Sequence, residues 1–212
     1  MLAVFAVGLA LVPLTGGRLG NLTRVRVRLM WTVLLALAVQ VLIIEVVPDA
    51  DGRLLASLHM LSYAIGAVFV VANRRLFGMF VIALGAASNA LVITANGGVM
   101  PADQAALARA GWATSTSGQF ENSEPIAHAK LPFLGDIFAL PAWVPLANVF
   151  SVGDLLIMVG GILVVHWICE SRLLPPAIRS RLRPPLVPAP GAPPPAGANE
   201  AGPERSHRHR TR

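Results

Sequence analysis

Apolar residues gather into five runs, at about 1–19, 29–47, 54–72, 76–95 and 149–169, separated by short polar breaks and one long stretch at 96–148. A helix of about 20 residues crosses the roughly 30 Å hydrocarbon core of a bilayer, and four of the runs reach that length. The first is apolar only as far as Leu14, so it borrows Thr15 to Leu19 or thins the bilayer locally. Between the second and third runs, Pro48, Asp49, Ala50, Asp51, Gly52 and Arg53 form a tight acidic turn, and Asn73, Arg74 and Arg75 separate the third from the fourth.

The basic residues alternate with the runs. Arg18, Arg24, Arg26 and Arg28 follow the first, Arg74 and Arg75 follow the third, and Arg172, Arg179, Arg181 and Arg183 follow the fifth. By the positive-inside rule these three clusters share one compartment only if the N-terminus is outside and the C-terminus inside. A cleavable signal peptide has its basic residues ahead of its apolar run, the reverse of what stands here. Trp31 and Trp167 then fall at inner ends, whereas Trp112 and Trp143 lie in the outer loop. The expected fold is an all-α integral membrane protein: a five-helix transmembrane bundle with a long outer loop between helices 4 and 5. Ser62 with Gly66, Gly85 with Asn89, and Gly153 with Gly160 are small pairs at helical spacing that let backbones approach.

Composition agrees, since 55% hydrophobic and 13% charged residues in 212 leave no room for a second globular domain. Residues 1–174 form one transmembrane domain. The Pro-, Ala- and Arg-rich tail, 175–212, is expected to be disordered and cytoplasmic, with its basic end able to rest on anionic lipid. The net charge of +6 resides in arginines flanking the runs, so topology rather than nucleic-acid binding accounts for it. One cysteine, Cys169, excludes an internal disulfide framework.

Connections in helical proteins are usually far shorter than 96–148. Within it, Ala102 to Ala110 reads as a short helix, with Pro101 in its first turn and Gly111 after its end. The part from Leu131 to Leu146 is apolar again and lies at the membrane surface or dips into the bundle.

Four strings, Asn96-Gly97-Gly98-Val99-Met100-Pro101, Glu121-Asn122-Ser123, Leu134-Gly135-Asp136-Ile137-Phe138 and Phe150-Ser151-Val152-Gly153-Asp154, resemble the signature of uncharacterised bacterial multi-pass membrane proteins catalogued as a domain of unknown function. The resemblance runs over residues 1–174. It implies a bacterial integral membrane protein, placed by the topology in the inner membrane, and brings no activity, ligand or catalytic assignment.

Under this topology Glu45, His59, Asn89, Asn96 and Asp154 gather at the outer face, where with Glu121, His128 and Asp136 they line an outward-facing pocket. Each has a structural alternative. Ser151 and Asp154 have capping-box spacing, the weightier role for Asp154. Asn96-Gly97-Gly98 is a helix stop, Gly135-Asp136 fits an Asx turn, and Glu45 pairs with His59 across the short turn. The histidines and carboxylates have no metal-site spacing, so no metal or other cofactor is expected. His166, Cys169 and Glu170 are expected to reach the inner headgroups.

No nucleophile elbow, phosphate-binding loop or zinc-peptidase motif occurs. Three classes of function stand, in this order. The first is an accessory or binding protein using its extracytoplasmic loop to hold a protein or small envelope ligand. The second is a small-molecule transporter or channel component, disfavoured by apolar span centres. The third is an outer-face enzyme acting on an envelope or lipid-linked substrate.

Overall fold

The computed structural model describes residues 2–47, 51–112, 123–144, 147–181 and 184. Among these the chain is mostly helical, with seven α-helices: α1 (Leu2–Leu14), α2 (Met30–Val41), α3 (Gly52–Ala72), α4 (Met79–Ala95), α5 (Gln104–Ala110), α6 (Val152–Ile168) and α7 (Pro176–Arg181). Helix α3 is long and apolar enough to cross a membrane; the apolar segments Val4–Leu14, Met30–Val41, Met79–Ala95 and Val152–Ile168 are shorter.

The helices stop before the apolar runs do, for local reasons. Gly78, at φ 91°, starts α4 three residues into its run. The Ser151 cap starts α6. Helix α2 gives way to a π-helical turn, Leu42–Val46. Asp51 caps α3 by accepting from the Arg53 and Leu54 amides at 3.0 and 3.2 Å.

Helices α1, α2, α3, α4 and α6 run between two ends. At one end hydrogen bonds gather all three arginine-bearing segments: the Arg18 amide donates to the Cys169 carbonyl at 2.8 Å, and the Arg172 amide to the Thr15 carbonyl at 2.9 Å. Asn73, after α3, accepts from the Arg28 amide at 2.9 Å and donates to its carbonyl at 2.8 Å. This basic end holds a core of Leu76, Met79, Trp167, Ile168 and Leu174. Trp167 is therefore buried against Phe77, and not an interfacial anchor as its position suggested. Helix α7 occupies part of the stretch expected to be disordered; residues 182, 183 and 185–212 lie outside the described residues.

Helix α6 is gripped on two faces. A Cβ on Gly85 or Gly153 would strike the opposite backbone, as would one on Gly78 or Gly160, so α4 and α6 touch main chain to main chain. Helix α1 packs where Gly8 meets Ile162 and Phe5 meets Gly161. The Ser62–Gly66 pair makes no such notch, because Gly66 faces open space and Ser62 receives a bond from Gln40 of α2 at 3.2 Å. Large apolar side chains remain exposed around the helices, among them Val7, Leu34, Val71, Phe80 and Leu91.

The long connection folds into a cap over the other end. Two-residue strands add pairing that an all-helical expectation omits: β1 (Met100–Pro101) runs parallel to β2 (Ser123–Glu124), and β3 (Phe138–Ala139) antiparallel to β4 (Val149–Phe150). Phe138 stacks on Phe150 with ring centroids 5.5 Å apart. The expected short helix is α5, which begins two residues later than the sequence suggests because Asp103 caps it through the Ala106 amide at 2.8 Å, and Gly111 closes it at φ 76°.

Candidate functional site

The polar residues at the cap end are built outward from Asn89, in the C-terminal half of α4 and buried against α6. Its amide nitrogen donates to Asp154 Oδ1 at 2.8 Å, while its oxygen accepts the Ser151 hydroxyl at 2.9 Å. Ser151 and Asp154 complete a capping box: Ser151 Oγ accepts from the Asp154 amide and Asp154 Oδ2 from the Ser151 amide, each at 3.0 Å. The glycine at 153 makes this approach possible, since any Cβ there would overlap Asn89 Oδ1.

Helix α3 supplies the third wall. Tyr63 stands beside the Asn89 side chain, with Asp154 and Asp136 near enough to act on it electrostatically. One turn earlier, His59 is buried with its ring 5.5 Å from Tyr63 and lies beside the Gly98 backbone. Asp136 is buried beneath the cap, its amide donating to the Pro101 carbonyl at 2.9 Å and its carbonyl accepting from the Asp103 amide at 3.0 Å.

Of the residues singled out from the sequence, His59, Asn89, Asp136 and Asp154 therefore come together, and Tyr63 joins them. Tyr63 is the one tyrosine in the chain and stands four residues after His59, a spacing that puts both on one helix face and could have flagged it. Asn96 plays a different part, tying the cap to the end of α4: it donates to the Lys130 carbonyl at 2.9 Å and accepts from the Lys130 amide at 2.8 Å. His128 is exposed on the cap. Glu45 belongs to the π-helical turn, and its side chain lies outside what the structure describes, as Glu121 does altogether.

Chemically the cluster is a closed polar knot. Ser151 directs its proton at an amide oxygen, which leaves the hydroxyl unactivated, and Asp154 is occupied by the Asn89 amide and its own helix start. Among the described residues no group of three or more His, Cys, Asp or Glu side chains is placed to hold a metal ion. The Asn96-Gly97-Gly98 stop explains the knot's lid. Gly98 sits at φ 102°, where a Cβ would strike Ala56, whereas Gly97, at φ 74°, faces open space. Gly98→Ala should cost about 2 kcal/mol through backbone strain and overlap. Gly97→Asn should cost less than half of that, since asparagine tolerates the left-handed region. Thermal unfolding of the two variants distinguishes them, and equal losses would contradict the packing described.

Beside the knot the cap carries a groove of about 730 Å³, lined by Pro101, Asp103, Gln104, Ile126, Phe133 and Ile137 among others. Its walls are stiffened by prolines and by the pairing of Asp136 with Pro101 and Asp103.

A family model described as a family of unknown function (DUF5317) matches residues 24–166, a segment that includes the whole cap and every residue of the knot. No curated protein and no solved structure matches the chain.

Proposed function

Because this chain belongs to that family of unknown function, it inherits no activity from its relatives, and from the geometry we propose that it is a bacterial inner-membrane binding protein that holds an envelope component in its cap. In this reading α1, α2, α3, α4 and α6 cross the bilayer, with the basic end in the cytoplasm and the cap outside. Exposed apolar side chains around the helices and the collection of arginines at one end support it. A helix short for the bilayer is accommodated by local thinning of the lipid.

The observation that carries the binding role is the cap groove, whose volume lies in the range of small-ligand sites. Its lining mixes Phe133, Ile126 and Ile137 with the amide of Gln104, while the Asp103 carboxylate is committed to capping α5. Such a lining suits an amphipathic molecule with an apolar body and a polar handle. A second reading, as an outer-face enzyme, rests on His59, Tyr63 and Asp136, the members of the cluster that the α6 capping box does not use.

A photo-crosslinking residue at Phe133 in living cells should give a discrete adduct that Ala127→Trp, which fills the groove, abolishes; the same label at lipid-facing Leu34 should give only lipid adducts. A Phe133 adduct unchanged by Ala127→Trp would remove the groove from the binding role. Orientation is checked separately. An impermeant thiol reagent applied to intact cells should label Ala127→Cys and spare Ser180→Cys, and the opposite pattern would invert the topology.

A further inference from the structure

At the basic end, the turns that finish α1 and α6, with α7 and Pro184 beside them, line an open cavity of about 300 Å³ whose walls include Gly16, Arg18, Trp167, Glu170 and Arg179. Arg179 Nε is buried and has no hydrogen-bond partner, and no ion pair joins Arg18, Arg179 and Glu170 among the described residues. A buried guanidinium nitrogen left without an acceptor is costly unless something else supplies one. The side chain of Arg172 lies along Gly16 at the same rim.

Glu170 is the odd member of a set. Four helices close with the same left-handed turn, in which an amide bonds back to the carbonyl five residues earlier: Gly17 to Val12, Gly98 to Ile93, Trp112 to Leu107 and Ser171 to His166. The left-handed residue is Gly16, Gly97 and Gly111 in three of them, but Glu170, at φ 55°, in the fourth. Glycine adopts that conformation without penalty and glutamate does not. The turn itself gains nothing from a carboxylate, whereas the cavity gains an acceptor beside two arginines.

We propose that this cavity binds a phosphoester that carries hydroxyl groups, with Arg18 and Arg179 on the phosphate and Glu170 on a hydroxyl. Guanidinium groups match phosphate oxygens in geometry and charge, and two of them against one carboxylate leave the net positive charge that a phosphodiester requires. The groove in the cap and its ligand play no part in this site. If the bilayer reading holds, the cavity opens at the cytoplasmic headgroup level and the source is a glycerol-phosphate lipid. If it does not, a soluble phosphoester of the same chemistry fits.

The full-length protein in detergent, titrated with phosphatidylglycerol and separately with glycerol 3-phosphate and followed by native mass spectrometry, tests this. Wild type should retain at least one probe. Arg18→Gln and Arg179→Gln should each weaken it about tenfold, equivalent to ~1.4 kcal/mol, and Arg26→Gln, outside the cavity, should not. Glu170→Gly should also weaken binding while leaving the unfolding temperature equal or higher, an outcome that a purely structural glutamate would not give. Retention of the lipid without competition from glycerol 3-phosphate assigns the lipid source; full competition assigns a soluble one. Should Arg179→Gln fail to fold, the exposed Arg18 carries the test. Binding by neither probe, or Arg18→Gln and Glu170→Gly behaving as Arg26→Gln does, overturns the proposal.

Discussion

Gly153→Ala should destabilise the folded chain by about 3 kcal/mol or more, the largest effect expected of any single methyl group in the bundle. Two losses combine. The new Cβ would overlap Asn89 Oδ1 and crowd the Gly85 carbonyl, so α4 and α6 must separate, and overpacking of this kind costs about 1–3 kcal/mol. Moving Asn89 away also strips Ser151 of its acceptor and Asp154 of a donor, adding about 1–3 kcal/mol for buried polar groups left unpaired. Gly66→Ala is the matched control. Its Cβ meets nothing within 4 Å, and replacing glycine by alanine inside a helix is neutral or stabilising by up to about 1 kcal/mol. Unfolding of both variants in a graded denaturing detergent should separate them widely. A Gly153→Ala protein as stable as Gly66→Ala would mean that the two backbones are not in contact.

His166→Leu should release α1 from the rest of the molecule at a cost of about 3 kcal/mol. The imidazole is fully buried, with Nε2 2.9 Å from the Gly8 carbonyl and Nδ1 2.8 Å from Ser171 Oγ. A carbonyl can only accept, so the proton sits on Nε2, and Nδ1 takes the Ser171 hydroxyl. Ser171 Oγ lies 2.6 Å from Thr15 Oγ1, which extends the chain of bonds to the end of α1. Leucine fills the space but takes the ring donor from the Gly8 carbonyl and the ring acceptor from Ser171, whereas Thr15 keeps the Leu11 and Val12 carbonyls as partners. Because these bonds join α1 to α6, hydrogen exchange should rise in α1 while the α4 and α6 amides stay protected. Uniform loss of protection would instead show that α1 is integral to the whole bundle.

His166 also shows where the sequence ceases to be informative. Its place near the end of an apolar run, beside Cys169 and Glu170, suggested side chains reaching for water, yet His166 and Cys169 are both sealed inside. Periodicity along one helix cannot reveal that a second helix, 158 residues away in the chain, offers a carbonyl to the ring. Trp167 misleads for the same reason, since interfacial preference is a statistical property and burial against Phe77 a tertiary one. What is legible is local: the five apolar runs each hold a helix, Gly111 closes α5, and Ser151 with Asp154 forms the capping box. Long-range pairing of the cap strands is invisible because two-residue strands carry no periodicity. The polar cluster is half legible. His59, Asn89, Asp136 and Asp154 stand out as costly polar groups beside apolar runs, but Tyr63, which stands beside both His59 and Asn89, counts among the hydrophobic residues and gives no such signal.

Asn73 and Asn96, each following a helix, hold Arg28 and Lys130 by amide and carbonyl alone. A fastening of that kind is blind to the side chain it fastens. Positions 28 and 130 can therefore exchange residues of any size or charge without shifting the register of the loops they anchor, and only proline, lacking the N–H, is barred. The two asparagines are the fixed terms and their partners are variables, so the charge carried at the basic end and on the cap can drift over evolutionary time while the architecture beneath stays put.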